Sequence, residues 1–181
     1  MSLTFPGWYV GGWPVREDVV QAWLTPLLAT VSVYDSTGAQ ILNPDNSPRR
    51  PTTCSWLPAN YSADLPLVAV YGSGGVAPGL STVLDPQSVL IGAIGNTRDD
   101  SWALLEFCVQ MLLTLPRVGG VKMPDGSHVQ VTSVERTLAP ELRPDVNPDN
   151  RLVIATLKVD CRLPRSVPDY GPTVAELAAT F

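Results

Sequence analysis

Residues 96–116 read NTRDDSWALLEFCVQMLLTLP, and the rest of the chain is interpreted around them. Thr97 is a residue type that caps helix N-termini. Asp99 and Asp100 then place negative charge beside the positive end of the helix dipole. Asp100 stands three residues after Thr97, a shortened version of the capping box. Pro116 is expected to stop the helix, with Arg117 near its negative end. Trp102, Leu105, Val109 and Leu112 form one apolar stripe at helical spacing. Leu104, Cys108, Met111 and Leu115 form a second, and Phe107 widens the apolar surface. Only Glu106, Gln110 and Thr114 leave a polar seam, so this helix must be covered on more than one side. The cover is a sheet and another helix of the same chain, or in part a neighbouring subunit.

The flanking segments supply the sheet. Leu65–Tyr71 (LPLVAVY) is apolar on both faces, as a central strand would be. Gln87–Ile94 is a second strand and ends in Gly95-Asn96 before the helix. Val121–Met123 and His128–Glu135 flank Pro124-Asp125-Gly126-Ser127, a hairpin signal. Thr137–Val146 reads as a proline-broken loop, followed by a turn at residues 147–150 (NPDN). Arg151–Leu163 alternates, with Val153, Ala155, Leu157, Val159, Cys161 and Leu163 on a core face and a largely wet face opposite. Upstream, Val15–Ala29 reads as a first helix, with Pro26 expected to kink or end it near Thr25. Thr30–Tyr34 reads as a strand turned by residues 35–38, and residues 43–64 as loop. This order predicts an α+β fold, a mostly antiparallel sheet packed by two main helices. The expected organisation is an aromatic arm at 1–14, a single domain at 15–163 and a tail at 164–181. A short amphipathic helix is expected within Thr173–Phe181.

Composition narrows the function. The 181 residues are 45% hydrophobic but only 16% charged, against about a quarter in ordinary domains. Such a chain has a large core or hides surface against partners. A net charge of -5 argues against a dedicated nucleic-acid binder. The 18 prolines lie mainly outside the periodic segments and imply stiffened loops and arms. Cys54, Cys108 and Cys161 are far apart with no C-x-x-C pair, which disfavours zinc. Cys108 and Cys161 read as core residues, and the odd count suits a reducing compartment. No secretory leader or membrane-length apolar run is seen, so the expectation is a soluble product made in the cytosol.

Catalytic signals are weak. Gly72-Ser73-Gly74-Gly75 follows a strand, but Pro78 and another strand come next, where a dinucleotide site needs a helix. Gly92–Thr97 joins a strand to a helix, yet Asp99 and Asp100 would repel an anion there. His128, the only histidine, could serve Ser101 or Ser133 as a base, but neither serine sits in a G-x-S-x-G context. The acidic residues Asp85, Glu135, Glu141, Asp145 and Asp149 are scattered, and nothing selects a pair. No catalytic, cofactor or metal residues are therefore assigned. Arg136, Arg143 and Arg151 crowd the last turn, where they meet an acidic partner or balance local acids. Trp8, Tyr9 and Trp13, among Gly and Pro, fold back on the domain or clasp a partner.

The run from Leu65 to Leu163 resembles the tail terminator (tail completion) proteins of long-tailed, siphovirus-type phages, particularly those infecting actinobacteria. The resemblance is carried by LPLVAVYGSGG, by VLIGAIG leading into RDDSWALLEFCVQMLLTLP, by GGVKMPDGSHVQVTSVERTLAPELRPD, by NPDN, and by RLVIATLKVDCRLPR. It is one of overall pattern and does not extend to the first 64 residues or beyond Pro164. It implies a structural virion protein without catalysis, forming a homo-oligomeric ring, typically a hexamer, on the head-proximal end of the tail tube. Such a ring ends tube polymerisation and joins the tail to the neck, and the genome passes through it. Its partners would be tube protein and neck proteins, with no membrane, no cofactor and no sequence-specific nucleic acid. It would be assembled in the host cytoplasm. Under that reading the contact candidates are Gly74 and Gly75 in the 72–82 loop, and Arg136, Arg143 and Arg151 around the 136–150 loop. Trp8 and Trp13 of the arm come second. A head-closure or connector neck protein, and a small enzyme or ligand-binding domain, stay open as alternatives.

Overall fold

The computed structural model describes residues 4–9, 12, 14–73, 84–142, 151–162 and 169–179. A five-stranded sheet is covered on one face by two helices. In chain order the main elements are α1 (Arg16–Leu28), β1 (Thr52–Cys54), β2 (Leu67–Gly72), β3 (Leu84–Ile94) and α2 (Arg98–Val118). These are followed by β4 (Val121–Lys122), β5 (His128–Val129), β6 (Val131–Leu142), β7 (Val153–Arg162) and α3 (Gly171–Ala178). The sheet order is β1-β2-β3-β7-β6, and β4 and β5 form a separate small hairpin. Among the described residues only β1 and β2 pair in parallel. The other three pairings are antiparallel, which bears out the α+β expectation.

Alternation sorts the strands. Val68 and Val70, Val89, Ile91 and Ala93, and Val153, Ala155, Leu157, Val159 and Cys161 are all fully buried beneath the helices. They meet Leu104, Leu105, Cys108, Val109, Leu112 and Leu115 of α2, and Val19, Val20, Leu24 and Leu28 of α1. Burying an aliphatic side chain contributes about 1.5–3 kcal/mol, so this layer dominates the fold's stability. The opposite face is not uniformly wet. Leu65, Ile94, Leu152 and Ile154 form a second cluster there, with Leu57 and Tyr61 packed on it.

Helix α2 begins as its sequence requires. Thr97 Oγ1 accepts from Asp100 N–H at 3.1 Å, and Asp100 Oδ2 accepts from Thr97 N–H at 3.0 Å, a complete capping box. Its end differs from expectation. Pro116 does not stop the helix, which runs to Val118 and closes at Gly119. Gly119, at φ 89°, is left-handed, and its N–H reaches Leu115 O. Pro26 likewise lies inside α1, which continues to the fully buried Leu28. Both prolines sit in a last turn, where a missing N–H forfeits a single bond and packing of the flanking leucines holds the helix. On its second side α2 meets α1, where Trp23 Nε1 donates to Met111 O at 3.1 Å.

Three other boundaries differ. Thr30–Tyr34 is not a regular strand; Tyr34 makes an isolated bridge to Gln40, and Leu42 another to Pro48. Residues 31–50 thus form a meander of two tight turns. In each, an aspartate, Asp35 or Asp45, accepts from the residue two places on. The expected 43–64 loop contains β1, too short to announce itself. The expected loop at Thr137–Val146 is, as far as Leu142, the second half of β6. This strand carries Pro140 because it is a sheet edge, and register shifts at Val131/Ser133, Arg136/Leu138 and Leu138/Glu141 absorb the irregularity. The Gly74-Gly75 loop and the 147–150 turn lie outside the described residues.

Candidate assembly interface

Most large apolar side chains left on the surface fall into two groups, with Val15, Val118 and Leu138 standing apart. One is the N-terminal arm with α3. Tyr9 packs at a tilt against Phe5 with ring centroids 5.3 Å apart and against Tyr170 at 5.6 Å, and Trp8 meets Tyr170 at 6.0 Å. The arm therefore folds onto the segment entering α3. That helix buries none of its residues, leaving Val174 52% and Leu177 44% exposed. The other group lies on the excursion between α1 and β2, with Tyr34 and Leu42 exposed and Trp56 78% exposed.

The excursion is tied to the sheet by the pairing of β1 with β2 and is braced internally by two arginines. Arg50 Nη1 donates to Val31 O at 2.9 Å and to Ser32 Oγ at 2.7 Å, and Arg49 Nη2 donates to Ala63 O. Between the meander and the first turns of α2 runs a groove of about 240 Å³. Its walls include Val33, Tyr34, Pro51, Pro66, Leu104 and Phe107, with Asn96 and Asp100 as its polar members. The β3–α2 turn fixes that wall. Ser101 is fully buried; its Oγ accepts from Gly95 N–H at 2.8 Å and donates to Thr97 O at 3.0 Å. A Cβ on Gly95 would stand 2.5 Å from Asp100 Cβ, so strand and helix meet here only through glycine.

The predicted contact residues are dispersed. Trp8 is in the aromatic cluster at the arm. Arg136 is exposed on β6, opposite Leu157 of β7. Arg151 is half-buried, and its Nη1 donates to Asn96 O at 2.9 Å, tying the start of β7 to the β3–α2 turn. Trp13, Gly74, Gly75 and Arg143 lie outside the described residues. Sequence reading missed the groove and the excursion's exposed aromatics. Tyr34 and Trp56, isolated aromatics in polar loops, were the available signal.

The titrating groups carry little chemistry. Burial pushes the Cys108 thiol up to about 12. Burial also raises Cys54, and raises Tyr71, with neighbouring Cys54 adding to the effect on Tyr71. Hydrogen bonds from the side chains of Thr37, Ser47 and Ser127 hold Asp35, Asp45 and Asp125 below the usual carboxylate range. Ser101 spends its hydroxyl on the turn, and Ser133 Oγ donates to Asp160 Oδ2 at 2.6 Å. Among the described residues no three His, Cys, Asp or Glu side chains could hold a metal, and no helix is long and apolar enough to cross a membrane.

Residues 12–168 match the family model of the phage tail termination protein. The chain belongs to that family. No curated protein matches it. As a tail termination protein it is a structural component of the phage tail, not an enzyme, and it caps the tail tube. The long helix on the sheet and the strands to either side of it all lie inside the matched region.

Proposed function

We propose that copies of this tail termination protein close into a ring, a hexamer as the resemblance implies, on the head-proximal end of the tube. The ring's outer face would join the tail to neck proteins at the tail–neck junction of the virion. Assembly would take place in the host cytoplasm, and the genome would pass through the ring. A siphovirus-type tail and an actinobacterial host are carried by the resemblance of the Leu65–Leu163 run. One observation supports self-association most: a chain with only 16% charged residues leaves Trp56, Tyr34, Val174 and Leu177 on its surface. A heterologous contact that closes into a ring buries such surface without open growth. Arg136 and Arg151 remain proposed contacts to ring neighbours or tube, as do Gly74, Gly75 and Arg143 in the two long loops. Trp8 and Trp13 are the arm's proposed contacts. Gel filtration with light scattering, with and without tube protein, tests the reading. A closed multiple of 19.4 kDa is expected, and a single 19.4 kDa species in both samples would contradict it.

A further inference from the structure

We propose that the second half of β6 is shaped to refuse a further strand, so that neighbouring copies and tube protein meet this chain through side chains and not by extending its sheet. This deepens the self-association reading above and rests on it.

Among the described residues β6 pairs on one side only, with β7. A sheet edge is a row of unpaired N–H and C=O groups and a ready template for another chain. The opposite edge, β1, offers three residues. β6 has 12, and is where the sheet has most to offer an added strand.

Its register with β7 works against that. Val131 and Ser133 face the consecutive residues Cys161 and Asp160, so Thr132 is inserted. Arg136 and Leu138 face Leu157 and Thr156, so Thr137 is inserted. Leu138 and Glu141 face Thr156 and Ile154, which adds one more residue beside Pro140. Two of the insertions are pinned by their own side chains: Thr132 Oγ1 donates to Asp160 O and Thr137 Oγ1 to Thr156 O, each at 3.1 Å. Residues 133–136 are the longest run in continuous register, about 13 Å of strand.

Burial separates the three bulges. Val131 and Val134 lie three steps apart, and strict alternation would point them to opposite faces. The first bulge brings both onto the core, where each is buried. The second and third cancel. Together they shift the strand by two, so Leu142 faces the core with or without them, as Val134 does. The core therefore does not require this pair. They fall where β6 is exposed, at residues 135–139, and beside Pro140, which has no N–H to give. Glu135 and Arg136 add exposed charge. Bulges, proline and charge are the means by which edges are kept from pairing.

Deleting Thr137 and Pro140 straightens the edge. Residues 133–142 then match 153–160 of β7 without a break, with Val134 and Leu142 still on the core face. In light scattering this variant is expected to grow into species whose mass rises with concentration past any closed ring, with a several-fold rise in thioflavin T fluorescence. A straightened variant that folds, by circular dichroism and thermal melting, yet keeps the mass and dye signal of the unmodified chain would overturn the proposal. Hydrogen exchange of the unmodified chain, free and bound to tubes, is a second test that needs no variant. Amides at 135–139 are expected to exchange as fast in the bound chain as in the free one. Protection there rising to that of β7, which is paired on both sides, would reveal strand addition and overturn the proposal. An unmodified chain that stays at 19.4 kDa with and without tubes would remove the ring, while the straightened variant would still decide the edge.

Discussion

Ser101→Ala is the substitution that most sharply probes how the groove wall is held. Ser101 has no exposed surface, and Gly95 N–H donates to its Oγ at 2.8 Å. Alanine removes the acceptor and leaves Gly95 N–H buried. Water cannot readily replace the lost oxygen, because even a Cβ on Gly95 would stand 2.5 Å from Asp100 Cβ. A buried donor left without a partner costs about 1–3 kcal/mol, so we expect a loss of about 2 kcal/mol. For a chain of this length each kcal/mol moves Tm by about 2–4 °C, which gives a fall of about 4–8 °C. Thr97→Ala is the internal comparison. It removes an exposed cap and should cost about 1 kcal/mol. The two act on one turn, so the double variant should fall short of the sum. Guanidinium denaturation followed by tryptophan fluorescence, at one fixed protein concentration, measures all three. A Ser101→Ala variant within about 0.5 kcal/mol of the unmodified protein, the range of ordinary surface changes, would refute the turn argument.

Leu112→Ala, at a fully buried position of α2 under α1 and the sheet, should cost about 2–5 kcal/mol in the same assay. In the native state a maleimide at pH 8 should label half-buried Cys54 first and leave Cys108 intact; labelling of Cys108 at a comparable rate would contradict its burial. The folded Cys108 thiol titrates near 12, above an unfolded thiol's value of about 8.5. Its contribution is therefore fully present below about 8.5 and is lost as pH rises towards 12, a loss that Cys108→Ala should reduce. Asp35, Asp45 and Asp125 should titrate below ordinary aspartates by carboxyl-carbon NMR, and the stability they lend should fall as pH drops through their folded values.

Local grammar was the legible part of this sequence. The capping box at Thr97, the apolar stripes of α2 and the alternation of β7 are short-range signals, and the folded chain follows them. Proline was over-read at Pro26, Pro116 and Pro140, because its penalty depends on whether an N–H was needed at that position. At a sheet edge none is needed, and in a last helical turn one bond is lost and the packing of the flanking leucines outweighs it. β1 could not be read from Thr52–Cys54, since three residues acquire strand geometry only by pairing with β2. The candidate interface was legible only as a tendency, in the low charge and the aromatic arm. Its groove is assembled from residues 31–34, 51, 66 and 96–107, and no local pattern records that convergence. The pairing of Trp8 and Tyr9 with Tyr170 joins the two ends of the sequence and is equally silent in it. Arg136 and Arg151 looked alike as neighbours of one turn, yet one is exposed on an edge strand and the other ties down Asn96.

The most direct test is to polymerise tail tube protein with increasing amounts of this chain and image the products by electron microscopy. The account predicts tubes that stop elongating and carry a closed ring of the chain at one end only. Tubes that grow unchecked, or that bind single copies along their length with no ring at either end, would contradict it.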